Sequence, residues 1–485
     1  WHETFVAIMR PLLEGPELTF EQALAALRSA TGLQLLAFDE QARRGRYYWQ
    51  PADRFAKDVI RTALGYPEHS DAYLFYEACN GSGFIREQAL RALRGRDDRL
   101  VCAAILIRIE DWVPQVADVA ERLLKDVAAT DAARHFFEFL DLITALRSRR
   151  RFEPHWVATL EPMLLRSKWR DARRAALSSG DDDVRLLAHQ LIRRADEDAA
   201  PDTLRIAISD LSPRVALWAL SKVDDSAEPA LRQSLLHEGL RSRRASIRRE
   251  ALRRYCRSGY GDLRELLHAA IFDPAHSVRT VAAFQINALF GESALPRWRE
   301  AFDRGNRGEA MVMALSESGD AQDDARLRTQ LRASRGRIRA LALRGLLRIG
   351  AADSAKLLDA AMRDSSVFVV GAAIAGYAFG TEQLAAATLH EAFMLAKAPA
   401  MRARLISASR LLPKWRRLQF LLELCASCGE ADREPLNAAV ATWIASANRT
   451  FTEALPEQKA ALRSALETAR STHPARFWDH VQRLI

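Results

Sequence analysis

Few residues in this chain are placed to do chemistry. Cys425 and Cys428 form one CxxC, which supplies two of the four ligands a zinc ion takes. No second pair stands nearby, and the motif lies in the apolar run FLLELCASCG, so two packed thiols are expected there and no metal. His-Glu pairs occur at 2–3, 237–238 and 390–391. The signatures GxxxxGK(S/T), HExxH and GxSxG are absent, which removes the common nucleotide-binding, zinc-protease and hydrolase patterns. Trp218 and Asp225 stand seven residues apart, a spacing that puts an aromatic ring and a carboxylate on one face of a helix. The densest feature is cationic: RSRRASIRREALRRYCRSG, residues 241–259, carries eight arginines and one glutamate.

The charge is patchy. Of 71 basic residues only eight are lysine, a skew that points to a GC-rich, bacterial genome before it points to a ligand. The formal net charge is +9, yet three islands, 241–259 at +7, 147–174 at +6 and 402–417 at +6, exceed it, leaving −10 elsewhere. Hydrophobic residues make up 49% and charged residues 27%, a composition that folds. The longest apolar run, Val367 to Phe379, is too short for a bilayer, so no membrane association is expected. Five scattered cysteines argue against a disulfide framework and for the cytoplasm. No signal peptide is legible, and the opening Trp1 leaves open what precedes it.

The elements that must position these residues show up as a repeat. Ile85-Arg86, Val184-Arg185, Ile247-Arg248, Val278-Arg279 and Ile338-Arg339 are each followed, four residues after the apolar member, by alanine, and further apolar residues follow at +5 and +8 in most of them. Positions 0, +4, +5 and +8 make one helical face, and the small +4 residue admits a close neighbour. The leading residue recurs at 85, 116, 157, 184, 215, 247, 278, 311, 338, 367, 401 and 436, mostly about thirty-one apart, enough for two helices and two turns. Aspartates at 183, 210, 273 and 364 precede second helices, where they can cap or bond loop amides. Residues 38–55 mix arginine with aromatics and read as a loop and helix start. The step from 116 to 157 holds an extra helix, 131–146, and the RSRRR loop.

This pattern resembles HEAT repeats of the short, PBS-lyase-type kind, over roughly residues 80–450. The resemblance implies an all-α α-solenoid of about ten to twelve helix pairs, with an N-terminal helical cap at 1–80, the array at 81–450 and a C-terminal helical cap at 451–485. It implies second helices on a concave face and an inter-repeat ladder of Arg86, Arg185, Arg248, Arg279, Arg339 and Arg402, interrupted at Ala216 and Phe368. HEAT-like hydroxylases hold di-iron with His-Glu pairs in adjacent repeats; here the pairs lie far apart, so that chemistry is not expected. HEAT-like alkylpurine DNA glycosylases combine concave aromatics, a carboxylate and basic residues, with the carboxylate stabilising charge on the sugar. Trp218 and Asp225 are the residues here that could do so. Against that stands a plainer account, Trp218 packed between repeats and Asp224 or Asp225 capping the next helix.

On helical phase, Arg249, Arg253 and Arg257 form a stripe opposite the core. The equivalent residues are Arg344 and Arg348 in the 338 repeat, and Val369, Val370, Ala373 and Tyr377 lie on the uncharged helix that follows. A mixed basic and apolar face suits a protein partner better than an even phosphate track. The expectation is a non-enzymatic protein-binding scaffold without cofactor or metal, with those nine residues as its partner site. A DNA-binding solenoid is the alternative.

Overall fold

The 3.6-residue periodicity is realised as α-helix over most of the described residues. The computed structural model describes residues 5, 6, 9, 19–44, 63, 65, 67–195, 200–224, 228–447, 449, 452–473 and 477–485, and among these there is no strand. The chain is all-α, built of stacked helix pairs. It divides into two compact units, Trp1–Ser258 and Gly259–Ile485.

The helices used below are numbered in chain order. In the first unit they are α1 (Gly32–Arg44), α2 (Gly83–Ala92), α3 (Arg99–Arg108), α4 (Pro114–Ala128), α5 (Leu140–Leu146), α6 (Asp182–Ala195), α7 (Ala200–Ile208), α8 (Pro213–Val223), α9 (Pro229–Leu240) and α10 (Ala245–Ser258). First helices pair with second helices as α3 with α4, α7 with α8 and α9 with α10, while α6, α8 and α10 pack side by side. In the second unit the pairs are α11 (Leu263–Ala270) with α12 (His276–Phe290), α13 (Leu295–Asp303) with α14 (Glu309–Ser318), α15 (Asp324–Gln330) with α16 (Gly336–Arg348), and α17 (Ser354–Met362) with α18 (Val367–Phe379). Then come α19 (Ala386–Leu395) with α20 (Pro399–Ala408), and α21 (Lys414–Ser427) with α22 (Arg433–Ala447); α23 (Pro456–Thr472) lies on α21.

The +4 alanines do what their size allows. Ala89, Ala188, Ala219, Ala251, Ala282 and Ala342 are all fully buried. At Ala251 the partner helix presents Gly239, where an added Cβ would come within 2.8 Å of the alanine Cβ. Each side needs its smallest residue for the helices to meet.

The arginine after the leading residue forms the inter-repeat link. Arg86 donates from Nη1 to the carbonyls of Asn80 and Gly81 and from Nε and Nη2 to Asp111, at 2.9 and 2.7 Å. Arg185 repeats this on Ser179, Gly180 and Asp210, and Arg339 on Ala333, Ser334 and Asp364. The aspartate, twenty-five residues on, also accepts an amide of its own turn: Val113, Ser212 or Ser366. Arg248 and Arg279 bind the same two loop carbonyls, and Arg402 meets Asp432 at 2.9 Å. Arg279 leaves Nη2 buried without a hydrogen bond; the turn position that is aspartate elsewhere, five before the leading residue, is Asn306 there.

Several sequence expectations are corrected. Asp183 does not hold the loop amides ahead of α6; Asp181 accepts from Asp183 and Val184, and Asp183 pairs with Arg214. Val157 is 59% exposed in a π-helical turn, and Trp156 and Leu160 take the core instead, because the irregular stretch after α5 breaks the repeat phase. Residues 38–44 end α1 in place of a loop, and 45–55 lie outside the described residues. The segment 131–146 is 3-10 helix to Phe139 before α5.

Two measurements test the link. Burial pushes the Asp210 carboxyl up, but the Arg185 hydrogen bonds, the Ser212 amide and nearby cations together hold it below the ordinary range, and Asp111 behaves alike. A carboxyl depressed on folding stabilises above its unfolded pKa of about 4 and loses that contribution as pH falls further. Thermal stability should therefore fall below about pH 4, less steeply in Asp210→Asn. Arg339→Val and Asp364→Ala should each cost about 2 kcal/mol in denaturant unfolding, and the double substitution less than their sum by at least about 1 kcal/mol. Strict additivity would mean the pair is not a coupled link.

Candidate functional site

Surface chemistry concentrates on the second helices of the first unit. α6, α8 and α10 stand side by side, and each shows solvent the side opposite its core face. On α10 this side carries Arg253 and Arg257, both exposed, and Arg249, half-buried with its Nε enclosed and unbonded. Arg254, one residue off the stripe, is engaged by Glu250 at 2.9 Å and by Asp224. Of the eight arginines in that stretch, Arg253 and Arg257 are thus the clearest ligand surface on the helix.

A recess of about 270 Å³ is lined by α6, α8 and the irregular stretch after α5. Arg147, Arg193, Arg194 and Lys222 line it with Glu161, Gln190 and Trp218. Glu161 is buried and pairs with Arg194. Arg147 is half-buried; its guanidinium lies 4.4 Å from the Trp156 ring centroid and donates to the neutral Gln190 amide oxygen at 3.2 Å. Burial pulls its pKa down, with the Glu161 charge opposing. The arrangement offers planar cationic donors and an aromatic wall, a set that receives anions.

Trp218 is half-buried at the edge of this recess, its ring 6.2 Å from that of His189. Asp225 lies outside the described residues, and the carboxylate sharing the recess with Trp218 is Glu161. Sequence periodicity missed Arg147 and Glu161 because both fall in the longest, irregular step. The basic island 147–174 was the signal available.

The second unit departs from expectation. Val369, Val370, Ala373 and Tyr377 are all buried, packed in the core, and form no patch. The Tyr377 hydroxyl donates to Asp359 at 2.7 Å, and burial followed by that carboxylate raises its pKa. The leading residue of this helix is Val369, two residues after Val367: Asp111, Asp210 and Asp273 each precede a leading valine by five, and Asp364 likewise points to Val369. The ladder residue of this repeat is then Val370, while Phe368 is 46% exposed under Arg337. Arg344 is exposed as expected. Arg348 is exposed as well, but its guanidinium is engaged: it donates to the carbonyl of Ser316 at 2.6 Å and to that of Gly319, closing the end of α14.

The sequence motifs resolve into packing. Cys425 is buried and its thiol is pushed up to about 12 by burial. His237 bonds the Tyr255 hydroxyl, Glu238 pairs with Arg205, and Glu391 pairs with Arg363; residues 2–3 lie outside the described residues. Among the described residues Asp181, Asp182 and Asp183 cluster closely enough to hold a cation, but they are engaged by loop amides, Ser212 and Arg214.

No family model matches this chain, and no curated protein does. Among solved structures it is similar to a chain in a complex of Kap95p with RanGDP, at 12% identity and TM-score 0.32, covering 100% of this chain and 62% of that one. It is also similar to an engineered protein, at 14% identity and TM-score 0.16, over 96% and 99% of the two chains. The chain thus spans less than two thirds of the first. Neither likeness bears on function at these scores.

Two outcomes follow. Val369→Asp with Tyr377→Ala should cost at least about 4 kcal/mol, seen as lost cooperative unfolding or a large drop in melting temperature; a native-like melt would return these residues to the surface. Burial pulls the His189 pKa down to about 4. An imidazole held neutral on folding destabilises as pH falls from about 6.5, where the unfolded chain begins to take the proton. His189→Phe should flatten the melting temperature between pH 6.5 and 4, and an unchanged pH slope would contradict the assignment.

Proposed function

We propose that this chain is a non-enzymatic, HEAT-like scaffold that binds a protein partner on the exposed side of its second helices. The observation that carries the reading is the surface of the first unit, where a recess lined by arginine and tryptophan lies on α6 and α8, and α10, packed on α8, exposes Arg253 and Arg257. Aromatic and arginine side chains on a rigid helical platform are the residue types that anchor protein interfaces. The HEAT-like assignment is supported by the Asp, Val-Arg, Ala spacing and by the arginine link between successive turns. Five free cysteines and the arginine-rich composition support a bacterial cytoplasmic setting.

A second reading is favoured by one observation, the half-buried Trp218 beside those cations, which suits a stacked base. It makes the chain a DNA-binding solenoid, in its sharpest form a glycosylase acting through Trp218 and Asp225. The stripe is interrupted on α8 by Leu217 and Ser221, which disfavours a continuous phosphate track.

The test is affinity capture with the full chain as bait, with and without nuclease. The scaffold reading expects a protein retained after nuclease and lost by at least about tenfold in Arg253→Glu with Arg257→Glu, while circular dichroism is unchanged. Recovery of nucleic acid alone, with a salt dependence that Arg249→Gln, Arg253→Gln and Arg257→Gln together flatten by about three counterions, would replace it with the second reading.

A further inference from the structure

In the second unit, α18 has an outer side as well as a core side, and it carries no charge on either. Val369, Ala373 and Tyr377 take the core, so the opposite positions are Gly371, Ala375 and Phe379. Phe379 is 93% exposed, and the exposed Phe368 lies eleven residues before it, on the same helical face. α18 packs on α16 and on α20, and both neighbours bring arginine to this apolar strip. The Arg337 guanidinium of α16 lies 4.8 Å from the Phe368 ring centroid. Arg404 of α20 donates to the Val367 carbonyl at 2.9 Å, and its guanidinium lies over Gly371, where an added Cβ would come within 2.6 Å of Nη1. The glycine thus keeps the place of the guanidinium. Arg344, exposed on α16 seven residues after Arg337, shares the face of that residue. Among the described residues Arg337, Arg344 and Arg404 pair with no carboxylate, and α16, α18 and α20 contain no aspartate or glutamate. The turn aspartate ahead of α18, Asp364, is held by Arg339. Resting on the protein-binding reading above, we propose that this face receives a short amphipathic helix of a partner, whose apolar side is bordered by aspartate or glutamate.

Three features select that occupant. Every charged side chain on the three helices is an arginine, so a complementary segment is acidic. Two phenylalanines exposed on an uncharged helix call for apolar contact between those acids. The strip from Phe368 to Phe379 runs about 16 Å along α18, or three helical turns, which an incoming helix meets along one side. The second helices bond their amides internally and leave no strand edge on which an extended segment could pair. Rings that far apart do not stack two neighbouring bases, which disfavours a nucleic-acid strand.

The experiment uses the full chain and a displayed library of random peptides of about sixteen residues. Enriched sequences should combine leucine or aromatic residues at helical spacing with aspartate or glutamate, and fluorescein-labelled copies should bind saturably and less tightly as salt rises. Replacing their acids by lysine should weaken binding at least about tenfold, and Phe379→Ser with Arg344→Gln in the chain should do the same at an unchanged melting temperature. Gly371→Ala, which displaces Arg404 and removes no charge, should weaken binding about as much as Arg404→Gln does. Arg344→Gln alone keeps the test valid should the double variant melt lower. No enriched peptide, enriched peptides without acids, or a double variant that binds them as the parent does overturns the proposal. Tighter binding of a short oligothymidylate or of phosphatidylserine vesicles that the same variants abolish also overturns it and assigns the face to nucleic acid or to lipid. Partner capture that these variants leave intact removes this inference and leaves the scaffold reading standing; binding of acidic peptides here by a chain that captures no partner does the reverse.

Discussion

A guanidinium inserted beside the turn that precedes its own helix, and bridged to the aspartate of the next turn, ties successive helix pairs of each unit together. One arginine satisfies two loop carbonyls that would otherwise face a buried corner, and its remaining donors grip a carboxylate twenty-five residues on. The carboxylate in turn receives an amide of its own turn. Three backbone groups are satisfied by two side chains that also satisfy each other, and each turn is held in register with its neighbour. Such a pair contributes less through its charges than through the cost of leaving any member unbonded in the interior.

That asymmetry explains where the link is missing. Within the first unit, Ala216 stands at the arginine position and Ser242 at the following aspartate position; within the second unit, the same holds for Val312 with Ala333 and for Val370 with Ala396. Ala216, Val312 and Val370 are buried. In these three places arginine and acid are absent together, which leaves no buried member alone; Arg279, buried with Nη2 unbonded and Asn306 at the acid position, is the exception. At the N-terminal end the link widens into a network. Asp111 takes both Arg86 and Arg108, Arg108 also meets Asp39, and Asp39 accepts from Arg43 at 2.6 Å. Arg86, Arg108, Asp39 and Asp111 are all buried, so removal of any one strands the others.

The same accounting narrows the surface. An arginine-rich chain invites a nucleic-acid reading, yet many of these arginines are engaged internally. Besides the ladder, Arg299 meets Asp323 twice at 2.9 Å, Arg326 meets Asp303, and Arg328 meets Asp353. These run along first helices and their turns, a line of contacts that repeat phasing did not anticipate. Arg253, Arg257 and Arg344 are among the arginines that stay at exposed positions, with others such as Arg150, Arg151, Arg332 and Arg335, and Arg147 lines the recess.

Period and composition alone determined the all-α class, the helix pairs, the buried +4 alanines and the ladder arginines, because each depends on a spacing that recurs and on residue size or charge. Even the phase of α18 was legible, since Asp364 sits five residues before Val369 as other turn aspartates do before theirs; apolar pattern could not find it, because a helix without charge has no polar side to orient it. Only the tertiary structure decided which cations are engaged. Arg348 and Arg344 are four residues apart on one helix, and the difference between them is the C-terminus of α14, which no local pattern encodes. The recess was equally beyond reach, because Arg147, Glu161, Arg194 and Trp218 come from an irregular stretch and two successive second helices. Periodicity reports distance along the chain, and a site made by converging elements exists only once they have packed.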